Sequence, residues 1–207
     1  MKTPTSLSGL SAALLAVVVV AGCGGGPAPV PQAGESRGFP PDLRGRSVML
    51  LPVQQNLGIP GDPSAELAFA LTSRTEEVEW ILEEDIQEIL RRSPGIDADT
   101  RGLPVAVFRQ AAVERIGDPL YGQIRRMAAL VGADLVVLPV AVSYEANPEI
   151  PGSTPRVRFM ATVLDARTGR VQWFGIEEGG DHPRTDPRAL ASAAERLAQT
   201  ILWFAGG

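Results

Sequence analysis

Hydrophobic residues change their spacing near Arg46, and the elements of the chain are read from that point. Ser47–Val53 is a short apolar run closed by Pro52, the pattern of a buried strand. Asp62-Pro63 then opens a helix, Asp as cap and Pro at the first helical position, with Leu67, Ala68 and Leu71 on its apolar face. The same pair recurs at Asp118-Pro119 and Asp186-Pro187 and marks two further helix starts. Val78–Leu82 alternates as a strand, and Glu84–Arg92 follows as a short helix with Ile86, Ile89 and Leu90 inward. Glu76–Arg92 also fits one long helix; strand then helix is the favoured reading. Ser93–Gly102 is a loop turning at Pro94-Gly95, and Pro104 starts a helix running to about Ile116. Another covers Pro119–Val131, with Leu120, Ile124, Met127 and Val131 on one stripe and Gly132 as its left-handed stop.

Asp134–Val142 is apolar after its first residue, as a strand buried on both faces would be. Pro139 removes a ladder donor from it and predicts a bulge or a nearby sheet edge. Arg156–Leu164 places Val157, Phe159, Ala161 and Val163 on one face, with arginines and Thr162 mainly on the other. Asp165–Arg170 turns the chain, Gly169 being available for positive φ, and Val171–Phe174 returns. Pro187–Phe204 is a closing helix with Leu190, Ala194, Leu197, Ile201 and Phe204 on one stripe. The order β-α-β-α-(α)-α-β-β-β-α predicts an α/β fold: a single-domain sandwich, a mixed sheet of about five strands with helices packed on it.

The residues before Arg46 follow other rules. Lys2 precedes an apolar run, Leu10–Val20, too short for a comfortable membrane span and suited to the core of a secretory signal. Small residues and Cys23 follow, and Val20-Ala21-Gly22-Cys23 resembles the lipobox of bacterial lipoproteins. The resemblance implies a signal peptide over residues 1–22, cleavage after Gly22 and acylation of Cys23. Gly24 at the next position implies the outer membrane, facing the periplasm. Residues 23–45 form the lipidated Cys and a Gly/Pro-rich tether, and residues 46–204 the globular domain. As a flexible coil the tether spans roughly 25 Å, and as extended polyproline about 70 Å.

Composition narrows the classes. The 207 residues, 44% hydrophobic and 21% charged, suit one globular domain. One Cys forms no internal disulfide, and one His builds no multi-imidazole metal site. Lys2 is the sole lysine, so residues 23–207 carry 18 Arg against 24 acidic residues, a net charge of −6. That balance argues against nucleic acid, and gives no electrostatic reason for the domain to lie on an anionic bilayer.

Candidate chemistry is sparse. Asp165, Arg167, Thr168 and Arg170 form a charged set explained by turn chemistry. His182 beside Asp181 has the type of a general base, but no nucleophile motif such as G-x-S-x-G accompanies it. Glu83, Glu84 and Asp85 suit a helix start as well as a cation. No catalytic residue, metal or cofactor is therefore expected. Two loops stand out as contact surfaces: Gln54–Gly61, after the first strand, and Tyr144–Pro155. Within them Gln54, Gln55, Asn56, Tyr144 and Asn147 are the candidate partner contacts.

Three segments carry a wider resemblance: Val48–Val53, then Gly132-Ala133-Asp134-Leu135-Val136-Val137, then Val163–Trp173. Together they resemble the opening strand, the lead-in to a middle strand and the closing hairpin of the TolB amino-terminal domain. Its relatives include the curli-secretion lipoprotein CsgG and the lipoprotein activators of penicillin-binding proteins. Long hairpins for a membrane barrel are missing here, and so is a propeller. The resemblance implies a non-catalytic adaptor in a cell-envelope assembly, of secretion or cell-wall synthesis type, with an envelope protein or its own copies as partner. A second class stays open: a small-ligand or polymer-binding periplasmic lipoprotein, or an enzyme with an unrecognised site.

Overall fold

The structure, a computed structural model, describes residues 36–110, 113–146 and 152–205. The signal peptide, Cys23, the first part of the tether and Asn147 lie outside the described residues. Six strands form one mixed sheet: β1 (Ser36–Arg37), β2 (Ser47–Leu50), β3 (Glu79–Ile81), β4 (Leu135–Glu145), β5 (Arg156–Asp165) and β6 (Val171–Glu178). Their spatial order is β1-β6-β5-β4-β2-β3. β2 lies parallel to both β3 and β4, whereas β4, β5, β6 and β1 pair antiparallel in succession. The five longer strands are those expected; β1 adds a two-residue edge.

Sequence dictates most of the local geometry. Asp62 caps α1 (Pro63–Thr72), its carboxylate accepting from the Ser64 and Ala65 amides at 3.0 and 3.1 Å. Asp186 caps α5 (Pro187–Ile201) by accepting from Arg188 N. α4 (Leu120–Val131) begins one residue later than the Asp118-Pro119 pair predicts; there the Asp118 carboxylate accepts from Gly122 N instead. Gly132 ends α4 at φ 74°, a conformation that costs other residues Cβ strain. Strand then helix is the outcome at 76–92, as β3 and α2 (Glu83–Arg92). Pro139 produces the expected irregularity: the β4–β5 register shifts between Pro139 and Ala141.

Helices cover both faces of the sheet. α1 and α5 close one side, where Leu67, Leu71, Leu197 and Ile201 meet Val137, Phe159 and Trp173. On the other side Ile86, Phe108, Ile124 and Met127 meet Val136, Leu138 and Phe174. All of these are at most 5% exposed. Of the stripe expected on the last helix, Leu190, Ala194, Leu197 and Ile201 are buried, but α5 ends at Ile201 and Phe204 lies beyond it, partly buried.

Two expectations are corrected. Of the helix predicted from Pro104 to Ile116, the described residues form only α3 (Val107–Gln110). The backbone of residues 114–116 pairs at the sheet edge instead: Ile116 N donates to Gly169 O at 2.9 Å and Val171 N to Glu114 O at 2.8 Å. The tether also ends earlier than residue 45. Ser36 and Arg37 pair with Gly175 and Phe174, Leu43 is fully buried, and the Phe39 ring meets Trp203 edge-on at 5.0 Å. Scattered apolar residues without periodicity give no pattern from which to foresee this docking.

Candidate functional site

The carboxyl ends of β2 and β4 point toward one end of the sheet, where open α/β sheets commonly bind. Here the chain after β2 fills the crevice itself. Leu51 N and Gln54 N donate to Val137 O and Pro139 O, each at 3.0 Å. Asn56 then bridges to Val142, with Leu57 N donating to Val142 O and Val142 N to Gln55 O, both at 2.8 Å. The Arg184 guanidinium donates to Gly58 O, and Tyr144 Oη donates to His182 O at 3.3 Å. Thus the loop 54–61, the end of β4 and the 182–184 segment are brought together, although they are distant in sequence.

Their side chains have unequal freedom. Gln54 is a latch: its amide donates to Pro52 O at 2.7 Å and Thr100 O at 2.9 Å, and its oxygen accepts from Leu103 N at 2.9 Å. Asn56 folds back on Ile59, accepting from its N at 2.7 Å and donating to its O at 2.9 Å. Gln55 buries an amide oxygen that has no hydrogen-bond partner. Gln54 and Asn56 are thus engaged in shaping the loop. The large apolar side chain that the loop presents is Leu57, 48% exposed.

Leu57 borders a recess of about 250 Å³, lined also by Arg109, Ala141, Ser143, Glu145, Arg158, Met160 and Ile176. Strand alternation builds its floor, because residues 158 and 160 share one face of β5. Arg158, 8% exposed, lies 3.4 Å from Glu145 Oε2 and 3.4 Å from Glu178 Oε1. Two carboxylates thereby offset one buried cation. Apolar walls around a paired charge suit a partner's side chain. Nothing in the sequence around Arg158 distinguishes it from the other arginines of an alternating strand; register alone puts it in the recess.

The remaining candidates are accounted for locally. Asp165 Oδ1 accepts from Thr168 N and Oγ1, each at 2.7 Å, and Gly169 turns at φ 67°. Burial works against the charged form of Asp165, but those hydrogen bonds and Arg167 leave its carboxyl below the usual range. Glu83 pairs with Arg101 at 2.7 and 2.6 Å and accepts from Thr100, and Asp85 accepts from Leu82 N. His182 sits in a loop where its N donates to Gly180 O. Hydrogen bonding by the Arg188 side chain is the main reason the nearby Asp186 carboxyl is held down to about 2. Among the described residues no group of three His, Cys, Asp or Glu side chains could hold a metal ion. No described helix is long and apolar enough to cross a membrane.

No protein-family model matches the chain, and no curated protein does. Among solved structures, a PelC dodecamer from Paraburkholderia phytofirmans is similar at 16% identity and TM-score 0.43, over 81% of this chain and 93% of that one. Lipoprotein GNA1162 from Neisseria meningitidis is similar at 15% identity and TM-score 0.44, over 75% and 97%. The LpoB C-terminal domain from Escherichia coli is similar at 14% identity and TM-score 0.42, over 67% and 84%. Likenesses this slight assign nothing to the chain.

Proposed function

We propose that the protein is a lipid-anchored envelope lipoprotein, held in the outer membrane facing the periplasm, and a non-catalytic adaptor in a cell-envelope assembly. The observation that carries this reading is the order Lys2, Leu10–Val20, Ala21-Gly22, Cys23, with the chain's one cysteine where the lipid attaches. The partner contact lies at the loop end of the sheet, around Leu57, Tyr144 and the Arg158 recess. The recess mixes apolar Leu57, Met160 and Ile176 with the paired charges of Arg158 and Glu145, a lining that suits a protein side chain. Self-association through β6 has less support, since β1 and residues 114–116 already occupy much of its outer edge.

The test is a photo-crosslinking residue at Leu57, compared with one at exposed Arg91 on α2, in the acylated protein within its native envelope. A specific adduct with another envelope protein is expected at Leu57 and not at Arg91. Equal adducts, or none, would reject the loop end as the docking surface. Separately, Cys23→Ala should abolish acylation and release the protein from membranes; retention would refute the anchor.

A further inference from the structure

The loop end of the sheet has a counterpart at the opposite end. Phe39 is 68% exposed and Trp203 44%, two of the five large apolar side chains that the described surface leaves open. They stack edge-on at 5.0 Å; Phe204 joins Trp203 at 6.0 Å, and the Arg44 guanidinium lies 5.2 Å from the Phe204 ring centre. Trp203 Nε1 is held by Pro40 O at 3.0 Å, so the indole is fixed in place. Asp42 shares the Arg44 charge at 2.5 Å, which makes the cluster an aromatic patch with polar borders rather than a cationic one.

Its place in the chain matters more than its size. Phe39 lies 16 positions after Cys23 and three after Ser36, the first described residue. On the lipoprotein reading, the patch is therefore the described surface nearest in sequence to the lipid. It is also remote from the recess. α5 starts beside the segment whose Arg184 holds Gly58, runs 15 residues, about 22 Å, and ends at Ile201, two positions before Trp203.

We propose that Phe39 and Trp203, backed by the partly buried Phe204, seat the domain on the bilayer surface that holds the acyl chains of Cys23, so that the loop end faces away from the membrane. This rests on the lipoprotein reading above. Trp and Phe are amphipathic or apolar rings suited to the headgroup region, where an indole N–H keeps a polar partner while its ring leaves water. The tether makes the contact intramolecular, so a small patch is enough to hold an orientation. The net charge of −6 supplies no attraction to an anionic surface, so the ring contact with the headgroup region has to carry the seating.

Trp203 reports on the contact directly. Among the three tryptophans Trp173 is fully buried and Trp80 partly so. The acylated full-length mature protein is placed in phosphatidylethanolamine–phosphatidylglycerol vesicles with and without dibrominated phosphatidylcholine, and floated on a density gradient. Bromolipid should quench the emission by up to the share of Trp203, Trp203→Phe should abolish the quenching, and Phe39→Ser should lower it roughly twofold. Floating protein with unquenched Trp203 would overturn the seating while leaving the anchor intact, and would leave the patch to a protein partner. Protein that fails to float would overturn the anchor and the seating together.

Discussion

Glu177 shows how one side chain sets a pH dependence. On β6 it is half-buried, and burial is the main reason its carboxyl titrates above the usual range; Thr200 Oγ1, donating at 2.9 Å, and Arg196 offset this only partly. A raised native pKa means that the folded state binds the proton more tightly than the unfolded chain. Stability is then lost as pH rises from the ordinary carboxylate range through the raised value. Glu177→Gln keeps an acceptor for Thr200 and removes the charge. Its thermal midpoint should exceed that of the wild type at pH 7, with the gain vanishing at pH 4. An equal gain at both would show that the charge is not the cause. Gln54 and Asn56, candidate contacts by residue type, also hydrogen-bond local backbone groups, and Leu57 beside them is the large apolar side chain exposed there.

At the scale of elements, α5 is the clearest case of pattern becoming packing. Ala194, Leu197 and Ile201 recur at helical spacing, and all three are fully buried against the sheet and α1. Leu197→Ala should cost about 2–5 kcal/mol through lost burial and the cavity left behind. Gln199→Ala, on the exposed side of the same helix, should stay within about 0.5 kcal/mol. Urea unfolding of the two variants checks the pair; similar losses would contradict the assigned face. The 104–116 segment is the opposite case. Its apolar residues Val105, Phe108 and Ile116 are buried as a helix would have them, but the backbone of 114–116 pairs with the hairpin. A distant strand edge thus outweighed local helical preference.

For the whole molecule, the folded unit begins before Arg46. A chain starting there lacks the fully buried Leu43, the Phe39–Trp203 contact and β1. Burial of Leu43 alone is worth about 1.5–3 kcal/mol. Such a chain should unfold at clearly lower urea than one starting at Gly24, and coincident midpoints would make residues 36–45 a passive tether after all. The sequence by itself determined the α/β class, two of the three Asp-capped helices, the hairpin, the Pro139 irregularity and the buried stripe of α5. Each of these depends on neighbours within a few residues, through dihedral limits, capping or the periods 2 and 3.6. Only the tertiary structure decided that residues 54–57 fill the crevice beside β4, that Arg158 lies between Glu145 and Glu178, and that Phe39 meets Trp203. Those contacts join positions brought together by strand register and helix packing, which no local periodicity encodes.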